Sequence, residues 1–270
     1  MKKLNLFFTG CLIILFGNIY PQVNLKDYQT IYYQEVVYES EDYKMYLVRC
    51  FAREEVLKIK VRVFNKTTDI IYVKPEEFTF VIKGKTLKGS GKPFIVQPSG
   101  DEAHIIDVKE GSMNMKCEDF EVTLAGFYKI PMQGDAFPVL NSELPSKRGK
   151  EIIAGPVACE LYDNQMGKEK SFAKYSCTYS GDKICVLDPS KSVAIMPKGQ
   201  ENKNSFKKDV YVLEKGQSDN ITIEFKRLNG AGDLTDGIEV KWNDSFRAST
   251  AVSLKTIKVP MKIDLEKSEK

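Results

Sequence analysis

From Leu57 to Val63 the chain alternates strictly: Leu57, Ile59, Val61 and Val63 are apolar, and the residues between them, Lys58, Lys60 and Arg62, are basic. Successive side chains of an extended strand point to opposite faces, so this stretch makes a strand with one greasy and one wet side. Related runs span Tyr43 to Phe51, Asp69 to Val73, Phe78 to Ile82, Phe94 to Val96, His104 to Val108 and Phe120 to Leu124. Turn formers separate them, among them Ser40-Glu41-Asp42, Asn65-Lys66-Thr67, Gly89-Ser90-Gly91 and Pro98-Ser99-Gly100. No stretch of ordinary helical length sustains a helical period. Many short strands at close spacing predict an all-β chain of antiparallel sandwiches.

The chain also matches itself. A displacement of 114 positions lays Ile59, Val61, Val63, Ile70, Ile71, Val73 and Pro75 on Ala173, Tyr175, Cys177, Ile184, Cys185, Leu187 and Pro189 without a gap. A second likeness joins Lys129-Ile130-Pro131-Met132 to Lys258-Val259-Pro260-Met261, which predicts about fifteen extra residues inside the second copy, at 198–205 and 229–236. Copies of this size are whole domains rather than solenoid repeats. The expected division is a signal segment over 1–22, a β-sandwich over 23–135, a linker over 136–152 rich in Pro, Gly and charge, a second β-sandwich over 153–264, and a charged tail over 265–270.

The run Val61-Arg62-Val63-Phe64-Asn65, followed by Ile70-Ile71-Tyr72-Val73-Lys74-Pro75-Glu76-Glu77-Phe78, resembles the immunoglobulin-like sandwiches of bacterial exported proteins. In those, a strand ends at an Asn-rich turn and the next runs through a proline into an aromatic strand. The resemblance covers about forty residues of the first copy, and it implies two tandem Ig-like domains. It selects no function, because the same sandwich serves adhesion, partner binding and enzyme-accessory roles.

Lys2 and Lys3 precede the apolar run Leu4 to Phe16, the form of an export signal, with cleavage expected between Gly17 and Val23. Cys11 sits in a weak lipoprotein-like box. The formal charge is +3, and it drops to +1 without Lys2 and Lys3, so nothing attracts nucleic acid or an anionic membrane. Export permits disulfides among Cys50, Cys117, Cys159, Cys177 and Cys185. Cys177 and Cys185 flank one turn and both face inward, so they are the expected pair. The connectivity of Cys50, Cys117 and Cys159 stays open.

Motifs for chemistry are sparse. Asp233, Asp236 and Glu239 gather carboxylates around glycines, a candidate calcium loop, although a solvated turn at Asp236-Gly237 accounts for the same residues. No other cofactor is expected. His104 is the single histidine and has no nucleophile motif beside it, so it is expected at a strand surface or edge. Gly84 to Pro93 fails the spacing of a phosphate loop and is expected to be a basic hairpin. Sequons occur at Asn65, Asn220 and Asn243, and Tyr28, Tyr32, Tyr33, Tyr38, Tyr43 and Tyr46 crowd the early chain, chiefly as core.

Export, duplicated β domains and the lack of a catalytic motif point to a non-catalytic binding protein. It would be periplasmic, surface-attached or secreted, and would engage a protein or glycan partner. The alternatives are a structural component of a cell-envelope assembly and a hydrolase using an unmarked pair of carboxylates.

Overall fold

The computed structural model describes residues 24–206 and 209–270. The expected signal segment and Cys11 lie outside these residues. The described chain is all-β: strands and short 3-10 turns arranged in several antiparallel sheets, with no helix long and apolar enough to cross a membrane.

The first half runs through β1 (Thr30–Tyr33), β2 (Val36–Glu39), β3 (Tyr43–Ala52), β4 (Leu57–Asn65), β5 (Ile70–Val73), β6 (Thr79–Ile82), β7 (Lys85–Lys88), β8 (Phe94–Val96), β9 (Asp101–Val108), β10 (Asp119–Leu124) and β11 (Phe127–Ile130). The connector and second half hold β12 (Asp135–Ala136), β13 (Ser142–Leu144), β14 (Glu151–Ala154), β15 (Val157–Met166), β16 (Lys170–Tyr179), β17 (Ile184–Leu187), β18 (Val193–Ile195), β19 (Glu201–Lys203), β20 (Tyr211–Leu213), β21 (Ser218–Lys226), β22 (Ile238–Lys241) and β23 (Phe246–Ser249). The chain ends with β24 (Val252–Ser253) and the long β25 (Ile257–Glu269).

The alternation in β4 is realised: Leu57, Ile59, Val61 and Val63 are buried, and the basic residues between them face out. The copies superpose in register. β3 and β15 begin 114 positions apart, and Pro75 and Pro189 open the same three-residue 3-10 turn. Proline suits that place because its fixed φ is already that of the turn and its missing N–H costs nothing there. β5, β8, β11 and β24 form one four-stranded sheet, and β17, β20, β23 and β12 form its counterpart in the same order. β7-β6-β10-β25 likewise corresponds to β19-β18-β22-β13. Two separate apolar cores result.

The division of the chain between these cores departs from the expected domains. Ser142 of β13 stands opposite Val240 of β22, and Val259 of β25 stands opposite Val122 of β10, so β13 and β25 fill the same place 117 positions apart. β13 follows the first half yet lines the second core, while β25 follows the second half and closes the first. Two strands are therefore exchanged each way: β12 and β13 join the second half, and β24 and β25 join the first. The expected linker over 136–152 contains strands of the second sandwich, and residues 252–264, expected in the second, belong to the first. Alternation of Ile257, Val259 and Met261 reveals a half-buried strand but not which core receives it.

The expected likeness of Lys129–Met132 to Lys258–Met261 joins places that do not correspond, since Lys129 lies in β11 and Lys258 in β25. The true partner of Phe127 is Phe246, opposite Leu187 as Phe127 is opposite Val73. Only a few extra residues separate the copies, rather than fifteen.

A third apolar cluster fixes the halves together. Ile70 and Tyr72 of β5 and Ile130 of β11 meet Val186 of β17 and the nearby Val210, with Ile95, Ile184 and Val212 packed around them. β5 is thus buried on both faces: Ile71 and Val73 enter the first core while Ile70 and Tyr72 enter the joint. The two faces are equivalent surfaces of the two copies, the arrangement of an isologous dimer folded from one chain.

Candidate functional site

The expected calcium carboxylates lie on one 3-10 turn and the strand that follows it. Asp233 caps the 3-10 turn Leu234–Asp236, its Oδ1 accepting from the Thr235 N at 3.0 Å and from Thr235 Oγ1 at 2.7 Å, and these bonds hold its carboxyl below the usual range. Asp236 is exposed on that turn, which Gly237 ends at φ 100°, a backbone angle that favours glycine, so the expected hairpin turn is a capped 3-10 turn instead. Glu239 lies in β22 and accepts from Asn141 Nδ2 at 2.7 Å. Among the described residues no group of three or more His, Cys, Asp or Glu side chains is placed to hold a metal.

The expected Cys177–Cys185 bond is replaced by Cys159–Cys177. Cys159 and Cys177 face each other directly in β15 and β16, whereas Cys185 lies in β17 of another sheet. Inward direction alone does not bring two sulfurs together. The corresponding cross-strand pair of the first copy is Met45 with Val63. Cys50, Cys117 and Cys185 are buried free thiols, and burial pushes the Cys185 thiol up to about 12. Such thiols are neutral and unreactive.

Gly84 belongs to the tight Lys83-Gly84 turn of the β6–β7 hairpin, both residues at positive φ. Tyr33 and Tyr43 are core. Tyr33 Oη donates to the Cys117 carbonyl at 2.9 Å, and Tyr43 stacks on Phe127 with ring centres 5.0 Å apart. The amide of Asn65, in an expected glycan sequon, is buried and donates to the carbonyls of Asp69, Val96 and Gln97. It is a structural knot rather than an attachment point.

The arrangement with a binding character was not marked by any motif. β8 and β20, equivalent edge strands of the two copies, approach each other at the joint, where the Gln97 side chain mimics a peptide. Its Nε2 donates to the Val210 carbonyl at 2.8 Å, and its Oε1 accepts from the Val210 N at 3.3 Å. Beside this bridge opens a cleft of about 430 Å³. Tyr72, Phe94 and Leu213 make its buried floor, Ile95, Tyr211 and Val212 its half-buried walls, and Lys92, Gln217 and Asp219 its exposed rim. Burial, and then the nearby Glu214 and Glu76 carboxylates, raise the Tyr72 hydroxyl well above the usual tyrosine range, so it stays a neutral donor. Lys74 pairs with Glu214 across the joint and lies over the rings of Tyr72 and Tyr128. Apolar walls with a few fixed polar groups are the usual makings of a ligand site.

A larger hollow, about 670 Å³, is walled by Lys26, Arg53, Lys116 and Lys270 against Asp27, Glu54 and Glu55. Its charges largely offset one another, and Lys116 Nζ is already engaged by the Tyr28 carbonyl at 3.0 Å. It has little of the apolar floor that the cleft offers.

The free edge of β9 is a further open feature. At Asp107 the edge is covered by Ser90, whose N donates to the Asp107 carbonyl at 2.7 Å and whose carbonyl accepts from the Asp107 N at 3.0 Å. At the other end a tight turn through Gln97–Gly100 carries the chain away, with Ser99 at φ 54°. Between them Asp101, Glu102, Ala103 and Ile105 are exposed, and His104 stacks on Phe94 with ring centres 3.9 Å apart and its Nε2 3.8 Å from Glu102 Oε2. The single histidine thus stands where the sequence placed it.

No family model matches the chain, and no curated protein matches it in sequence. Among solved structures it is similar to a crystal structure of the YadV chaperone, at 8% identity over 73% of this chain and 92% of that one, with a TM-score of 0.19.

Proposed function

We propose that this chain is an exported, non-catalytic binding protein built on two immunoglobulin-like sandwiches, and that it holds an extended segment of a protein or glycan in the cleft between β8 and β20. The observation that carries this reading is the cleft itself: Tyr72, Phe94, Ile95, Tyr211 and Val212 beneath a rim of Lys92, Gln217 and Asp219. Aromatic rings give large contact area at small entropy cost, and two rigid sandwiches keep the walls in place without a ligand. The basic, apolar start of the chain supports export, as does the Cys159–Cys177 bond, which persists in oxidising compartments.

The test is a screen of the purified chain against arrays of glycans and extended peptides, followed by titration calorimetry on each hit. Tyr211→Ala removes a half-exposed wall, and hits seated in the cleft are expected to weaken by tenfold or more, roughly the value of one aromatic anchor. Hits that bind Tyr211→Ala as well as the parent would remove the cleft from consideration. Assembly within a cell envelope is the second reading, favoured by the open edge of β9.

A further inference from the structure

The uncovered part of β9 is short, running from Asp101 to Ile105. Because Asp107 turns its N–H and C=O outward to Ser90, the alternation of a strand turns those of Ile105, Ala103 and Asp101 outward as well. These three residues are the free edge, closed by Ser90 at one end and by the Gln97–Gly100 turn at the other. Its midpoint is Ala103.

We propose that two copies of this chain join through β9, antiparallel about Ala103, so that their sheets run on across a two-fold axis. In this register Asp101 faces Ile105 of the second copy and Ala103 faces Ala103, and all three are positions whose backbone groups point across the junction. The close, non-bonded positions between them set Glu102 opposite His104 of the second copy, twice by symmetry. A shift of the midpoint by one residue, to Glu102 or to His104, sets two glutamates or two histidines face to face. Both shifts keep the outward bonding groups opposite one another, so these facing side chains are what separates the registers.

Charged residues on an edge strand ordinarily guard against pairing. Here the same residues disfavour the neighbouring registers and suit one of them, so they act as a selector. The corresponding edge, β21, offers no such match. Glu224 there is covered by Asn204 and Ser205, and a strand reading Ser218-Asp219-Asn220-Ile221-Thr222 carries no basic residue to answer Asp219. The proposal is independent of the cleft between β8 and β20.

Sedimentation velocity of the purified chain over a wide concentration range tests it, and a reversible dimer is expected. Ala103→Pro deletes an N–H that faces solvent in the single copy, a place where an edge strand tolerates proline, so it should leave the circular dichroism and melting unchanged and yield monomer. His104→Glu sets carboxylate against carboxylate at both symmetric positions and should weaken association roughly tenfold. Exchanging the pair, Glu102→His with His104→Glu, restores both contacts and should restore the dimer. A chain that stays monomeric at the highest concentration, a dimer indifferent to Ala103→Pro, or an exchanged pair no better than His104→Glu alone would overturn it.

Discussion

Met261 stands opposite Phe120 in adjacent antiparallel strands and is fully buried, so the end of the chain seals the core begun by its start. With β13 lodged in the second core in return, the two halves are laced through each other. Cutting the exposed loop after Lys147 or Arg148 with trypsin should therefore not part them. The fragments are expected to elute as one particle on native sizing and to separate only in denaturant. Fragments that separate without denaturant would show that the exchanged strands contribute little.

The bond between Cys159 and Cys177 closes a loop with a sequence separation of 18 residues. Restricting the unfolded chain over such a loop stabilises by about 3 kcal/mol. Urea unfolding of Cys159→Ala/Cys177→Ala should show a loss of that order, while Cys185→Ala should leave the bond intact. Non-reduced peptide mapping checks the pairing, and a Cys177–Cys185 peptide would refute it.

Trp242 Nε1 donates to Ser142 Oγ at 3.1 Å in the second core, and both residues are buried. Ser142→Ala leaves that N–H without its partner at a cost of about 1–3 kcal/mol. Because Trp242 is the single tryptophan, its fluorescence reports this core directly. Ser142 belongs to the strand given by the first half, so an unchanged midpoint would also mean that β13 is not seated there.

Glu224 is nearly buried and pairs with Lys170 at 2.7 Å, and this contact chiefly holds its carboxyl below the usual glutamate range. The unfolded chain then takes up the proton first as pH falls. The pair's contribution is fully present above the usual glutamate range and is lost as pH drops through that range towards the lowered folded value. Glu224→Gln is expected to flatten the acid side of a melting-temperature profile and to leave its slope near neutrality unchanged. An unaltered acid limb would contradict it.

The strands were legible because period-two alternation is a direct consequence of half burial: β5, β6 and β8 fall within the runs read from the sequence, and β3, β4, β9 and β10 contain or extend theirs. The correspondence of Ile70-Ile71 with Ile184-Cys185 was equally plain, since equivalent positions in two cores demand similar side chains. The exchange was not. β13 is three residues long between prolines and leaves no period to detect, and Ile257, Val259 and Met261 look alike whichever core they enter. The cleft escaped for a related reason. Tyr72 and Phe94, from adjacent strands of one sheet, meet Tyr211 only where two sandwich faces dock, and nothing local in a chain records such a meeting. The one clue lay in β5, whose four residues Ile70 to Val73 are apolar without a break, the mark of a strand covered on both sides.

Since β25 is made only after the whole of the second half, the order of synthesis has a bearing on how the molecule matures. While the ribosome is still adding the second half, the earlier strands have an open seam between β10 and β1 that no residue yet available can fill. The first core can close only once β25 has been made. In the interval that seam is exposed to any extended neighbour, which makes a holding factor more useful to this protein than to one whose domains finish in turn.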